Sequence, residues 1–171
     1  DFSADSHFLA TASSDGSARI WDLKAATEPT LLPLRHQGWI GTIAVAPDGL
    51  RLLTTSSNIA RVWPLAGDHP PLEVKDEDNY QMRDARFSAD SSMFLTAAGN
   101  RVRIFRFDQR DGASLITELP HSDEVRSAAF RPDGSRLITA SDDGYARIFR
   151  TEGAADLSLG QADRSQRRQR G

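Results

Sequence analysis

The chain has 171 residues, 39% of them apolar and 26% charged, with a formal charge of −3. That is enough apolar material for a sizeable core, yet no run approaches the ~18 consecutive apolar residues that a membrane span requires. With no cysteine, disulfides, thiolate metal sites and cysteine nucleophiles are excluded.

Alternating apolar positions bounded by turn residues predict strands throughout. The first unit offers strands over 8–13 and 18–22 around the Asp15-Gly16 turn, then 30–34. The second offers 40–46, the turn Pro47-Asp48-Gly49, 50–57 and 59–63, with Asn58 in place of an Asp-Gly turn. Pro70-Pro71 leads into an outer strand over 72–75, where missing amide donors do least harm. In the third unit Met82, Phe87, Leu95, Val102 and Ile104 keep the apolar pattern, while Asp76-Glu77-Asp78 and Gly99-Asn100 alter the polar positions. The fourth runs through RPDGSRLITASDDGYARIFR, 131–150, with an outer strand expected over 156–159. The last eleven residues hold four Arg against one Asp, a local +3 that leaves about −6 on the body. This tail, 161–171, has no apolar period and is expected to be a disordered basic segment.

The units are copies of one another. They align on Asp5, Asp48, Asp90 and Asp133, on Thr11, Thr54, Thr96 and Thr139, on Arg19, Arg61, Arg103 and Arg147, and on Trp21, Trp63, Phe105 and Phe149, with spacings of 42 to 44 residues. A period of that size, with strands and turns ending on an aromatic, is the signature of one propeller blade per repeat. FSADSHFLATASSDGSARIWDL, at 2–23, contains the dipeptide Trp21-Asp22, and His121, Pro132-Asp133-Gly134, Asp143-Gly144 and Ile148 extend the pattern. On these residues the chain resembles the WD-repeat family, and its repeats are similar to those of multidomain bacterial signalling proteins.

The resemblance implies an all-β β-propeller: four WD-type blades of four antiparallel strands, a fragment of a larger propeller of about seven blades. The expected repeats are 1–35, 36–75, 76–120 and 121–160, the first lacking most of its inner strand a, with the four strands a to d of each blade running outward from the central channel. It also implies a hydrogen-bonded chain in each blade from a His, through a Ser or Thr and an Asp, to a Trp. Here that network draws on His36, His121, Thr11, Thr54, Thr96, Thr139, Ser141, Asp15, Asp143, Trp21 and Trp63. No copy holds the full set, and the third, lacking His, Asp and Trp, is expected to be the least pinned. The aligned arginines share a strand face with the aromatics and are read as serving the repeat rather than as an anion-binding ring.

No nucleophile elbow, phosphate loop or zinc motif occurs, and Asp108, Asp111 and Gly112 lack the ligand alternation of a calcium loop. The expected role is therefore a non-catalytic protein-interaction scaffold or sensor, part of a larger cytoplasmic signalling protein whose kinase or NTPase domain lies outside this segment. No cofactor or metal is expected. Recognition concentrates on loops held by a rigid scaffold, which points to the rim of loops before strand a and between strands b and c, with Trp39, Tyr80, Arg83 and Arg126 as partner-binding residues and inter-blade packing as the alternative role of Trp39. Partners are other proteins or further repeats of the same chain. The competing readings are an enzyme using the central channel, and nucleic-acid binding through Arg164, Arg167, Arg168 and Arg170.

Overall fold

The computed structural model describes residues 1–24, 36, 38–66, 69–108 and 112–151, together with the backbone of 155–159. Among them every regular element is a β-strand. Strands β1 (Phe8–Ala12) and β2 (Ala18–Asp22) form a hairpin, to which Phe2 adds a single bridge at Leu9. Strands β3 (Thr42–Val45), β4 (Arg51–Ser56), β5 (Ile59–Pro64) and β6 (Leu72–Lys75) make the second sheet. The third comprises β7 (Met82–Phe87), β8 (Met93–Ala98), β9 (Arg101–Phe107) and β10 (Ala113–Pro120). The fourth comprises β11 (Val125–Phe130), β12 (Arg136–Ser141), β13 (Ala146–Arg150) and β14 (Ala155–Leu159). Each sheet is an antiparallel meander in chain order. The expected strand over 30–34 and the tail over 161–171 lie outside the described residues.

Register explains the repeat spacing. In every unit the aligned Thr faces the aligned Arg across the middle strand pair: Thr11 with Arg19, Thr54 with Arg61, Thr96 with Arg103 and Thr139 with Arg147. Two residues along, the aromatic faces an apolar partner: Leu9 with Trp21, Leu52 with Trp63, Phe94 with Phe105 and Leu137 with Phe149. Such directly opposed pairs are the unit of sheet stabilisation. The aligned aspartates close the first turn, for Asp5, Asp48, Asp90 and Asp133 each accept the amide two residues on, from His7, Leu50, Ser92 and Ser135, at 2.9–3.0 Å. This side-chain mimic of a backbone turn is why the position recurs as Asp.

The core lies between sheets, in series. Ala10, Ala18 and Ile20 of the hairpin meet Val45 and Leu52; Leu53, Ala60 and Val62 meet Ala85, Phe94 and Phe105; Leu95, Val102 and Ile104 meet Ala128, Leu137 and Phe149. Because successive strand residues point to opposite faces, each sheet offers one set to its predecessor and the next set to its successor. Inner strands β3, β7 and β11 lie side by side. A buried carboxylate ties the last two together: Asp84 accepts from Ser127 Oγ at 2.9 Å and from the Ala128 amide at 3.2 Å. On the fourth sheet Ile138 occupies the position of Leu53 and Leu95, and it is 45% exposed where they are fully covered.

Candidate functional site

Polar side-chain pins within each blade hold the rim. In the second sheet His36 Nε2 lies 2.9 Å from Thr54 Oγ1, and Trp63 Nε1 donates to the same hydroxyl oxygen at 2.8 Å. Arg61 Nη1 sits 2.6 Å from His36 Nδ1. A guanidinium only donates, so Nδ1 accepts, the proton is on Nε2, and the ring is neutral. Burial, with the Arg61 charge beside it, lowers the His36 pKa to about 4. In the fourth sheet His121 Nδ1 meets the Leu119 carbonyl at 3.1 Å and Nε2 meets Thr139 Oγ1 at 2.7 Å. A carbonyl only accepts, so here the proton is on Nδ1 and the Thr139 hydroxyl donates. The two histidines therefore carry opposite tautomers, set by Arg61 in one blade and Leu119 in the other.

The Asp end of the chain differs from what the family pattern implies. Asp143 accepts from Arg147 Nη1 at 2.7 Å, the Ser122 amide at 3.2 Å and the Tyr145 amide at 3.0 Å, rather than from the imidazole. Ser141 Oγ donates to the Asp123 carbonyl at 2.9 Å, leaving Thr139 as the hydroxyl at His121. Trp21 Nε1 donates to Thr11 Oγ1 at 3.2 Å, and Asp15 caps the Ser17 amide at 2.8 Å. Thr96 is buried. Three of the four aligned arginines are engaged within the blades, Arg61 by Glu73 and His36, Arg103 by Asp76 and Glu118, Arg147 by Asp143, while Arg19 is exposed.

A pH dependence follows from His36. Its folded pKa is depressed below the unfolded ~6.5, so between those values the unfolded chain binds the extra proton and stability falls as pH falls. Burial lowers the His121 pKa in the same direction. Urea midpoints are expected to drop between pH 7 and about pH 4.5, and to drop less in His36→Gln.

The third unit is not the least pinned. The amides of His36 and His121 donate to Gly16 and Asn100, the carbonyls of the preceding blade's turn, and Asp76 donates to Asn58 in the same way at 2.8 Å. Asp76 thus stands where the other blades carry His. Its carboxylate is buried, accepting from Arg103 Nη1 at 2.7 Å and the Tyr80 amide at 3.1 Å. Burial opposes the Arg103 charge, but Glu118 and Asp76 outweigh it and raise that pKa. An ion pair replaces the imidazole pin.

At this end of the strands the amides of Ile40, Met82 and Val125 donate to Ser13, Ser57 and Gly99, the turn of the preceding blade. Trp39, Gln81 and Glu124 each stand one residue earlier, on the rim. Trp39 is 52% exposed and Tyr80 49%. The Tyr80 ring lies against Gly99, which has φ +52, and a Cβ on Gly99 would come 2.5 Å from Tyr80 Cγ. Gly99→Ala is expected to cost about 2 kcal/mol in urea denaturation and to displace the tyrosine. Arg83 pairs with Glu124 across the third and fourth sheets. Arg126 pairs with Asp142 through Nε at 2.9 Å and with Glu124 through Nη1 at 3.0 Å. The Asp142 hydrogen bond holds the Arg126 pKa above its usual value, and the Arg126 hydrogen bond lowers that of Asp142. Between the second and third sheets Trp39, Ser57, Asn58, Asn79 and Gln81 line a pocket of about 240 Å³. Of these five, sequence reasoning singled out only Trp39 as a binding residue.

Comparison with known proteins agrees with this geometry. The family model "WD domain, G-beta repeat" matches residues 1–22, 30–64 and 113–150. The chain belongs to the WD40 repeat family. Each WD40 match ends at a strand-c aromatic or just beyond it, and the last begins on β10, so the family's sequence unit straddles two sheets. The matched segments leave out 65–112, where Asp76 and Phe105 replace His and Trp.

Similar proteins include nuclear distribution protein PAC1 of Arthroderma benhamiae, 28% identical over 84% of this chain and 35% of the relative. Target of rapamycin complex subunit wat1 of Schizosaccharomyces pombe is 28% identical over 88% of this chain and 49% of the relative. Protein HIR1 of Kluyveromyces lactis is 28% identical over 93% of this chain and 22% of the relative. The chain thus spans from about a fifth to about half the length of these curated relatives. They are fungal, and the expected kinship with bacterial multidomain signalling proteins finds no support in them. Among the described residues no helix is long and apolar enough to cross a membrane.

Proposed function

We propose that this WD40 chain acts as a non-catalytic scaffold whose rim, before strand a, docks a protein partner. The observation that carries this reading is the pair of half-exposed aromatics, Trp39 and Tyr80, held on neighbouring rim loops over a pinned β framework. Large aromatics presented rigidly are the residues that dominate interface energies. Arg83 and Arg126 belong to the same surface, already matched by Glu124 and Asp142, so they shape it and set register more than they offer free charge. The aligned histidines, threonines and tryptophans serve as structural pins, with Asp76 as their counterpart in the third blade. An enzyme in the central channel would need acids or imidazoles converging there. Asp84 on inner strand β7 is instead engaged by Ser127 and Ala128, which disfavours that reading. The arginine tail of the nucleic-acid reading lies outside the described residues.

Site-specific photo-crosslinking in cells tests the proposal. With Trp39→benzoylphenylalanine or Tyr80→benzoylphenylalanine, a discrete adduct of higher mass is expected. With Leu50→benzoylphenylalanine, at an exposed position on the opposite end of the strands, none is expected. Adducts from position 50 alone would move the docking surface to the other face.

A further inference from the structure

The joint between the second and third sheets is held in register by polar contacts as well as by its apolar core. The second sheet contributes Pro47-Asp48-Gly49-Leu50-Arg51-Leu52, and the third contributes the turn Phe87-Ser88-Ala89-Asp90-Ser91. Arg51 Nη1 donates to the Ser91 carbonyl at 3.1 Å, with its guanidinium over the Phe107 ring, and the Asp48 amide donates to Ser91 Oγ at 3.0 Å. Both halves occur a second time. The fourth sheet carries Pro132-Asp133-Gly134-Ser135-Arg136-Leu137, followed by Ile138 opposite Ile148 where the second sheet has Leu53 opposite Val62. The first sheet carries Phe2-Ser3-Ala4-Asp5-Ser6, with Leu9, Trp21 and Leu23 where the third has Phe94, Phe105 and Phe107. The backbone agrees: Ser6 has φ 56 and Ser91 φ 59, and the Leu23 amide donates to His7 as the Phe107 amide does to Ser92. Within the chain neither of these second halves is covered. Leu53, Phe94, Phe105 and Ser91 are buried in their joint, whereas Ile138, Phe2, Trp21, Leu23 and Ser6 are exposed. Ala129, Ile138 and Ile148 border an open hollow of about 380 Å³. Each uncovered face is thus the complement of the other, an aliphatic pair with an arginine on one, a Phe2-Leu9-Trp21 row with a serine turn on the other. The charges do not clash when the faces meet: Arg19 faces Thr11 at the rim end of the first sheet, while Arg136 faces Arg150 at the far end of the fourth. His7 is held by Asp22 and Arg131 by Asp133.

We infer that two copies of this chain pair head to tail, the uncovered face of the fourth sheet in each seated on the uncovered face of the first sheet in the other. Ile138 and Ile148 pack on the partner's Leu9 and the partner's Trp21. Arg136 reaches the partner's Ser6 at its carbonyl, across the partner's Leu23, and the Asp133 amide meets the hydroxyl of the same serine. The occupant is a second copy because this chain itself carries both halves of a joint that it already makes once. Two identical joints relate the copies by a twofold axis and leave neither face open. Together the copies bring twice four sheets into one ring, within the range of about four to eight blades that propellers close with. The pairing uses sheet faces and does not depend on the rim reading.

Sedimentation equilibrium of the whole chain tests it, with a particle of twice the 18.8 kDa chain mass expected. Ile138→Lys and Leu23→Lys each change an exposed residue, and an unchanged circular dichroism spectrum shows that the fold survives. Each should weaken pairing by at least ~100-fold, since it places an unpaired charge in both joints. The second also sets a lysine against Arg136. An equal mixture of the two variants should regain one-to-one pairs, through the single joint in which both faces are intact. A parent that sediments as a monomer overturns the inference and leaves the two faces to further repeats. Pairing that persists in one of the two variants overturns it in favour of contact between like faces, and a mixture that stays monomeric excludes the joint. A mass that keeps rising with concentration, as in an open filament, overturns the closed pair.

Discussion

Asp76→Ala is expected to lower stability by about 3 kcal/mol, the scale for removing one partner of a buried ion pair. The substitution leaves the Arg103 guanidinium, whose side chain is only 13% exposed, with Glu118 as its remaining carboxylate. It also removes the acceptor of the Tyr80 amide. Asp76→Asn keeps that second contact and loses the charge, so about half the cost is expected. The double variant Asp76→Ala with Arg103→Met should recover much of the loss, because replacing both members of a buried pair by apolar groups is close to neutral. Urea denaturation of the three proteins checks this. If Asp76→Ala came within about 0.5 kcal/mol of the parent, as for an ordinary surface change, the ion pair would not be the pin of the third blade.

The fold was readable from the sequence because its determinants are periodic and local. Aspartate recurs where a side chain closes the first turn, and Thr and Arg recur because they face one another across one strand pair. Boundaries read from alternation fall within a few residues of the observed ones: 18–22 and 72–75 coincide with β2 and β6, while 40–46 shrinks to Thr42–Val45. The third unit was misjudged for a countable reason. Asp76 is 20 residues before Thr96, whereas His36 and His121 are each 18 before Thr54 and Thr139. The two extra residues hide the equivalence between Asp76 and the histidines, and alignment on sequence places Asp78 at their position. Searching for a charged pair to Arg103 would have recovered it.

The rim was legible in outline only. A tryptophan where sister repeats carry Gln81 and Glu124 stands out in one sequence, and so do Arg83 and Arg126, each the second residue of an inner strand. That Arg83 and Arg126 are already neutralised depends on carboxylates 41 and 16 residues away, the first brought near when the third and fourth sheets stack and the second by the pairing of β11 with β12. The Asn58, Asn79 and Gln81 set belongs to two different repeats. No motif within either repeat signals it, because the pocket exists only between blades.

Phe94→Ala is expected to be the most damaging single truncation, at about 4 kcal/mol. Phe94 is fully buried between the second and third sheets. Its ring stacks on Phe105 with centroids 4.9 Å apart and lies 5.1 Å from that of Phe107, which also meets Phe87 and carries the Arg51 guanidinium 4.0 Å from its ring centroid. Arg51 belongs to the second sheet, so removing one phenyl group loosens an aromatic stack and a cation–π contact between sheets along with the area it buried. Leucine stands at the equivalent positions 9, 52 and 137. Phe94→Leu should therefore be tolerated at about 1 kcal/mol. Stacked repeats are held together by nearest-neighbour interface terms. Weakening this one should also uncouple the first two units from the last two, seen as a shallower urea transition and not only an earlier midpoint. A transition shifted by the full amount but with unchanged steepness would mean that the four units unfold as one and that the Phe94 cluster is not their weakest joint.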